Sequence, residues 1–330
     1  MDAARGDVAA LAGIAAEEVF FTGGGTEANN WAIGGVMMAA GQGLRRIVTV
    51  ATEHSAVLEP CRHLEALGAE LVVLGVDAQG RVRLDEAAAA ITPGTALVSV
   101  MLVNNETGVI QPIAEIAAMA RAAGALLHCD AAQAAGKLAI DARALGADLM
   151  SLSAHKLYGP VGVGALWRRP GVELAPLMHG GGQEGGRSGT LPVALIAGFG
   201  AAARAARARL TGDAARIAAL AARLRARLPA HRLNGEAAAR WPGILSLSFD
   251  VADGARLLSD VTRHVSLSSG AACAAARGRD SHVLAAMGLT PRAARATLRV
   301  GLGRGTTEAE VDFAADTIRA AVAAQTRAAA

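Results

Sequence analysis

Short runs of apolar residues alternate with helical segments along the first 150 residues, and this alternation limits the fold more than any other feature. The runs are apolar throughout, which is typical of strands that are buried on both faces of a sheet. They lie at Glu18–Thr22, Arg46–Val50, Leu71–Leu74, Ala96–Val103, Ala125–Cys129 and Asp148–Leu152. The helical segments between them are Glu27–Ala40, Ser55–Leu67, Asp85–Ile91 and Ile113–Ala123. The pattern predicts an α/β fold with a mostly parallel sheet covered by helices.

The second half of the chain has a different pattern. A glycine-dense tract, His179–Gly189, precedes a long helical region at 191–228, for which we expect a break or kink near Thr211 and Gly212. Short strands then alternate with short helices, which predicts a smaller α+β domain. The expected domains are a large one at 1–205 and a small one at 206–330.

Composition excludes several classes of function. The 32 basic and 29 acidic residues give a formal net charge of +3, which provides no broad basic surface for nucleic acid. Charges or glycines interrupt every apolar run before about 18 residues, and the first residues do not resemble a signal peptide. We therefore expect a cytoplasmic protein that binds neither nucleic acid nor membrane. Three cysteines without CxxC spacing argue against a disulfide framework and against a structural zinc site.

Only two of the basic residues are lysines, Lys137 and Lys156. Arginine can replace a lysine that supplies charge, but it cannot replace one that must lose its proton and attack a carbonyl. Lys137 follows Gly136 and has the pattern of a surface lysine at the end of a turn. Lys156 follows an apolar strand and precedes a glycine-rich stretch, where we expect desolvation to favour the neutral amine that a Schiff base requires.

Two further segments are candidates for the same site. The residues 23–27, GGGTE, lie between a predicted strand and a helix, so their backbone could hold a phosphate, although a tight turn explains them equally well. Asp130 ends a buried strand, where open α/β sheets place ligands, or it caps the next helix. If Asp130 and Lys156 lie at neighbouring strand ends, they form the arrangement that pyridoxal phosphate requires, with a carboxylate for the ring nitrogen and a lysine for the aldehyde.

Eight segments together resemble the cysteine desulfurases. They are FTGGGTEANN at 21–30, TEHSAV at 52–57, VNNETG at 103–108, HCDAAQ at 128–133, SAHK at 153–156, RSGTLP at 187–192, SSGAAC at 268–273 and LRVGLGR at 298–304. They follow one another in the family's order over nearly the whole chain. The resemblance implies a homodimeric pyridoxal 5'-phosphate enzyme of the class V aminotransferase group, with the aspartate-aminotransferase type of fold.

The resemblance also implies a role for each matching residue. Lys156 would bind the cofactor aldehyde, Asp130 would keep the pyridine nitrogen protonated, and His54 would stack on the ring and handle protons in catalysis. Arg299 would bind the substrate carboxylate, although a lone arginine there could also be a surface charge. The other implied contacts are Gln133 and Asn105 with the ring oxygen and the substrate, Gly25, Thr26, Ser153 and His155 with the phosphate, and Thr190 with the phosphate of the partner subunit.

Cys273 decides which reaction is expected. From its small-residue surroundings alone, a nucleophilic thiol and a structural thiol are both consistent with the sequence. The resemblance implies that Cys273 takes the sulfur of L-cysteine as a persulfide, that alanine is released, and that the sulfur passes to an acceptor or scaffold protein for iron–sulfur cluster or thio-cofactor assembly. Cys273 is then a candidate transient iron–sulfur ligand, and no resident metal is expected. Cys61 and Cys129 are expected in the core.

One part of the family pattern is missing. Relatives usually carry several dozen residues before the helix in which Met1 falls, so we expect either a misplaced start or a truncated chain. If the chain is truncated, it could be an impaired paralogue that acts as a binding subunit. The other alternative is a selenocysteine lyase or C–S lyase of the same group, which would not need Cys273.

Overall fold

The computed structural model describes residues 1–40, 45–269 and 280–327. The chain divides into two compact units. The first contains Met1–Gly75, Val82–Val103 and Gln111–Leu210. The second contains Val76–Arg81, Asn104–Ile110 and the chain from Thr211 onward. The expected large domain at 1–205 and small domain at 206–330 stay a prediction.

The first unit is built on a seven-stranded sheet. Its strands are β1 (Val19–Thr22), β2 (Arg46–Val50), β3 (Glu70–Leu74), β4 (Thr95–Met101), β5 (Leu126–Asp130), β6 (Leu149–Ser153) and β7 (Gly164–Arg168). They lie in the order β1-β7-β6-β5-β4-β2-β3. The pairs from β3 to β6 are parallel, whereas β7 is antiparallel to both of its neighbours. The prediction of an α/β fold with a mostly parallel sheet is confirmed.

Helices cover this sheet. They are α1 (Asp2–Ala9), α2 (Gly25–Ala39), α3 (Ser55–Ala66), α4 (Leu84–Ala90) and α5 (Ile113–Ala122), followed by the first part of α6 (Val193–Arg227). Helix α2 packs its apolar side against the sheet, where Trp31 and Ile33 are fully buried with Ile47, Leu97 and Leu149. Every residue of β4 is buried, as expected of a central strand of a covered parallel sheet.

The second unit contains a four-stranded antiparallel sheet. Its strands are β8 (Arg232–Leu233), β9 (Ile244–Ser248), β10 (Ser268–Ser269) and β11 (Thr297–Gly301), in the order β10-β11-β9-β8. Its described helices beyond α6 are α7 (Gly254–Thr262), α8 (His282–Ala286), α9 (Pro291–Arg295) and α10 (Glu308–Arg327). Leu247, Leu257, Leu298 and Ile318 are fully buried in its core.

The expected break near Thr211 and Gly212 is wrong, because α6 continues through both residues. A Cβ added at Gly212 would have no heavy atom within 4 Å, so this glycine has no packing role. A glycine inside a helix costs only about 1 kcal/mol relative to alanine, which a helix of 35 residues tolerates. None of the helices in the described parts of the chain combines the length and apolarity needed to cross a bilayer.

Candidate active site

Two parallel strands of the first unit end side by side and bring the predicted cofactor residues together. Strand β5 ends at Asp130, and the adjacent β6 ends at Ser153. A single 3-10 turn, Ala154–Leu157, follows β6 directly and carries His155 and Lys156. Strands β5 and β6 pair in register, with Asp130 opposite Ser151. Asp130 and Lys156 therefore follow neighbouring strands at the carboxyl edge of the sheet, where α/β proteins bind ligands.

Asp130 is buried and accepts two hydrogen bonds. Its Oδ2 accepts from Asn29 Nδ2 at 2.8 Å, and its Oδ1 accepts from the backbone N–H of Ala132 at 2.9 Å. The second bond closes a turn and caps no helix, because residues 132–137 form turns and no helix lies between β5 and β6. The alternative of a helix cap is therefore wrong. Asn29 Oδ1 is buried and has no hydrogen-bond partner among the described residues.

A histidine that sequence reasoning missed lies among the strands that precede this edge. His128 Nδ1 and Ser99 Oγ are 2.8 Å apart, and His128 Nε2 and Ser151 Oγ are 2.9 Å apart. Burial lowers the pKa of His128 to about 4, although the charge of Asp130 acts in the opposite direction. The ring is therefore neutral and ties β4, β5 and β6 together beneath the candidate site.

The glycine-rich segment before α2 approaches the sheet closely. A Cβ added at Gly164 of β7 would lie 2.6 Å from the carbonyl carbon of Gly24, which itself has a φ of +152°. A Cβ added at Gly25 would lie 3.3 Å from Cβ of Ser153. The N-terminus of the 15-residue helix α2 thus begins beside the end of β6. Ser153 Oγ and His155 Nδ1 are 3.0 Å apart, so a hydroxyl and an imidazole lie beside a helix N-terminus, which is suited to an anion.

Two other predicted phosphate contacts are exposed. Thr26 is exposed in the first turn of α2. Thr190 is exposed at the end of the glycine-dense tract, which an ion pair between Arg187 and Glu27 attaches to α2. In that pair Nη2 of Arg187 lies 3.2 Å from Oε2 of Glu27. This contact explains why the tract follows an ordered path despite its glycines.

His54 caps helix α3 and lies next to a buried acid. Its Nδ1 accepts a hydrogen bond from the backbone N–H of Ala56 at 3.1 Å. Glu53 is fully buried, and its Oε1 accepts from the backbone N–H of Met101 at 2.7 Å. Burial raises the pKa of Glu53 well above its ordinary value, the bond from Met101 lowers it, and the charge of Asp130 raises it further. Burial therefore favours the protonated form of Glu53, the residue that precedes His54 in the chain.

The exposure of the two lysines differs from what the sequence predicts. Lys156 is exposed in this chain, so the desolvation expected from its glycine-rich surroundings is not observed. Lys137, interpreted as a surface lysine, is half-buried instead, and its Nζ donates to Gln133 Oε1 at 2.7 Å. Burial and then the charge of Lys156 lower the pKa of Lys137 to about 8. Desolvation, Lys156 and Lys137 together lower the pKa of His155.

The second unit holds Arg299 and Asn105, the predicted substrate contacts. Arg299 lies on β11, is half-buried and donates twice within the unit. Its Nε donates to Ser268 Oγ at 3.0 Å, and its Nη1 donates to the backbone carbonyl of Asn105 at 3.0 Å. Arg299 is therefore half-buried and not fully exposed, and its role as a substrate contact stays a prediction.

Glu106, which the sequence did not single out, follows Asn105 directly. It is buried and its Oε2 accepts from Ser281 Oγ at 2.5 Å. Burial raises the pKa of Glu106 to about 7, while the bond from Ser281 and the charge of Arg299 lower it. Ser281 is also the N-cap of α8, since its Oγ accepts from the backbone N–H of Leu284.

The cysteines fall into two groups. Cys61 and Cys129 are fully buried in α3 and β5, as expected of core thiols. Burial raises the pKa of Cys61 to about 12, and it raises the pKa of Cys129 well above its ordinary value. Both are therefore unreactive thiols at neutral pH. Cys273 lies outside the described residues.

Comparison with known proteins identifies a family. The sequence matches the family described as Aminotransferase class-V over residues 1–313. It is 46% identical over 318 residues to a mitochondrial cysteine desulfurase of Arthroderma benhamiae, and 46% identical over 323 residues to a cysteine desulfurase of Mus musculus. These alignments cover 94% and 96% of this chain, which spans 63% and 70% of the length of the two relatives.

A solved structure described as a NifS-like protein gives the same result for the fold. It superposes with a TM-score of 0.91 at 34% sequence identity, covering 98% of this chain and 87% of that chain. The similarity therefore extends over both units, and the resemblance inferred from the eight sequence segments is confirmed.

Proposed function

Because the chain belongs to the cysteine desulfurases of the aminotransferase class V family, we propose that it is a pyridoxal-phosphate enzyme that takes sulfur from L-cysteine. In the proposed reaction the C–S bond of L-cysteine breaks, the thiol of Cys273 becomes a persulfide, and L-alanine leaves. An acceptor or scaffold protein then receives the sulfur. The observation that carries the proposal is the placement of Asp130 and Lys156 after neighbouring parallel strands, beside the N-terminus of α2.

The residues present fit this cofactor. Its pyridinium nitrogen needs a carboxylate, and Asp130 is buried and accepts hydrogen bonds from Asn29 and from the backbone N–H of Ala132. Its phosphate needs donors and a positive helix end, which Gly25, Ser153 and His155 provide together. The space beside them depends on glycine, since a Cβ at Gly164 would displace the segment that precedes α2.

Each residue then has a definite task. The cofactor supplies an electron-accepting ring for the charge that develops at the substrate α-carbon. Lys156 would hold the aldehyde carbon, Asp130 would hold the proton on the ring nitrogen, and Gln133 would lie at the ring oxygen. Nδ1 of His54 already accepts from Ala56, so a neutral His54 carries its proton on Nε2, the atom that would exchange protons with substrate.

Substrate binding would use the second unit. The guanidinium of Arg299 is held by Ser268 and by the carbonyl of Asn105, which orients it to bind a carboxylate. Cys273 would then attack the substrate sulfur as a thiolate. A homodimer, in which Thr190 contacts the cofactor of the partner, and a cytoplasmic location are also part of the proposal.

The test is incubation of the purified protein with pyridoxal phosphate, L-cysteine and a reductant. Alanine is quantified, and the persulfide is located by mass spectrometry of peptides after rapid alkylation. The natural chain and Cys61→Ala should both produce alanine and carry one extra sulfur on Cys273, because Cys61 is a buried core thiol. Cys273→Ser should produce neither.

Each contrary result has a distinct meaning. Alanine production that persists in Cys273→Ser would contradict the persulfide step and favour a lyase. A protein that stays colourless with the cofactor would contradict the whole enzymatic assignment. Light scattering after size-exclusion chromatography tests the homodimer separately.

A further inference from the structure

The only two lysines of the chain lie in the same small region of the first unit. Lys137 follows Gly136, which has a φ of +70° in the turn after β5. A Cβ added at Gly136 would lie 3.2 Å from Cβ of Leu157, the residue that follows Lys156, and 2.9 Å from Cβ of Ala206. The turn that carries Lys137 thus packs directly on the turn that carries Lys156.

Lys137 fixes the orientation of Gln133. An ammonium group only donates hydrogen bonds, so the Gln133 atom that it contacts at 2.7 Å must be the amide oxygen. The NH₂ group of Gln133 is therefore turned away from Lys137. If Lys137 were absent, the amide could rotate by half a turn and present its oxygen instead.

The charges of the two lysines also affect each other. Burial and the charge of Lys156 together lower the pKa of Lys137 to about 8, so Lys137 is mostly protonated at neutral pH. The charges of both lysines lower the pKa of His155 as well. Electrostatic repulsion is mutual, so a proton on Lys137 disfavours a proton on the nitrogen of Lys156.

We propose that Lys137 is a positioning residue of the cofactor site, which holds Gln133 with its amide NH₂ toward the cofactor ring oxygen and disfavours a second positive charge on Lys156. The inference rests on the proposed function, because it requires bound pyridoxal phosphate. It also explains why these two positions alone carry lysine while the other 30 basic residues are arginines. At position 137 the compact ammonium group fits a single amide oxygen, which the larger planar head of arginine does not fit equally well.

The experiment is a pH titration of the visible absorbance of the holoenzyme without substrate. Its midpoint reports proton binding at the lysine-bound cofactor, independently of turnover. Lys137→Met removes both the charge and the hydrogen bond, whereas Lys137→Gln removes the charge and keeps an amide donor for Gln133. We expect the midpoint to rise by about one pH unit in Lys137→Met, roughly a tenfold change in proton affinity, and by less in Lys137→Gln.

A Gln133→Leu background separates the two effects. If Lys137 acts partly through Gln133, adding Lys137→Met to Gln133→Leu should shift the midpoint less than Lys137→Met does alone. A midpoint in Lys137→Gln and Lys137→Met equal to that of the natural protein would overturn the inference while leaving the proposed function intact. A natural protein that shows no visible band with pyridoxal phosphate would overturn both.

Discussion

Replacement of Glu106 by glutamine tests whether the second unit holds a neutral, buried carboxylic acid. The folded protein raises the pKa of Glu106 from 4.5 to about 7 because the group is buried, and the bond from Ser281 and the charge of Arg299 offset only part of this increase. Glutamine has the same shape and its amide oxygen can still accept from Ser281. Glu106→Gln therefore removes the titration and keeps the hydrogen bond.

The sign and size of the effect follow from the two pKa values. The unfolded chain releases the Glu106 proton near pH 4.5, whereas the folded protein keeps it until about pH 7. The free energy of unfolding therefore falls as the pH rises through this interval. At 1.36 kcal/mol per pKa unit the full difference is about 3 kcal/mol, of which about 2.5 kcal/mol develops between pH 5 and pH 8.

The assay is urea unfolding at pH 5 and pH 8 of the natural protein, Glu106→Gln and the control Glu310→Gln. The stability of Glu106→Gln relative to the natural protein should increase by about 2.5 kcal/mol from pH 5 to pH 8. Glu310 is exposed, and bonds from the backbone N–H and the hydroxyl of Thr307 lower its pKa below 4.5, so it stays ionised from pH 5 to pH 8 and the stability difference of Glu310→Gln should stay constant over this interval. A Glu106→Gln difference that stays constant within about 0.5 kcal/mol would refute the reasoning.

Five further substitutions, at four positions, test the first unit and helix α6. Asn29→Ala removes a charged hydrogen bond to Asp130 worth about 1.5–3 kcal/mol, so pyridoxal phosphate affinity, measured by absorbance titration, should fall about ten- to hundredfold. Trp31→Ala should lower the free energy of urea unfolding by about 3–5 kcal/mol, because Trp31 is 1% exposed, whereas Trp31→Phe should lower it less. Gly164→Ala should lower both Tm and cofactor retention, while Gly212→Ala, with open space around it, should raise the free energy of unfolding by about 0.5–1 kcal/mol.

The sequence predicts most of the sheet of the first unit but misses one strand. Strands β1 to β6 were expected near their positions because apolar runs of four to eight residues alternate with helical segments. Strand β7 was missed because glycines at 159, 162 and 164 obscure the pattern that precedes it. Of these glycines, Gly164 marks a close approach to Gly24, a contact between segments far apart in the chain that no local pattern can reveal.

The burial of the site residues was harder to predict from the sequence than their positions in the fold. Asp130 and Lys156 follow adjacent strands as expected, because parallel strands place their carboxyl ends at one edge. The expected environments of the two lysines were reversed: Lys137 is half-buried and Lys156 is exposed. Burial depends on which turns pack together, and the contact of Gly136 with Leu157 and Ala206 joins three separate segments.

Two of the buried glutamates, Glu53 and Glu106, show a signal that could have been found from the sequence. Glu53 precedes His54 and Glu106 follows Asn105, so each lies directly beside a predicted site residue. Each also joins distant parts of its own unit, since Glu53 accepts from the backbone of Met101 and Glu106 accepts from Ser281. A carboxyl group kept neutral by burial can anchor a loop without adding negative charge next to the substrate. An acidic residue that follows a buried strand and adjoins a half-buried site residue is therefore a candidate structural anchor. The pH dependence of the free energy of unfolding, compared between the natural protein and the variants Glu53→Gln and Glu106→Gln, distinguishes this role from catalysis.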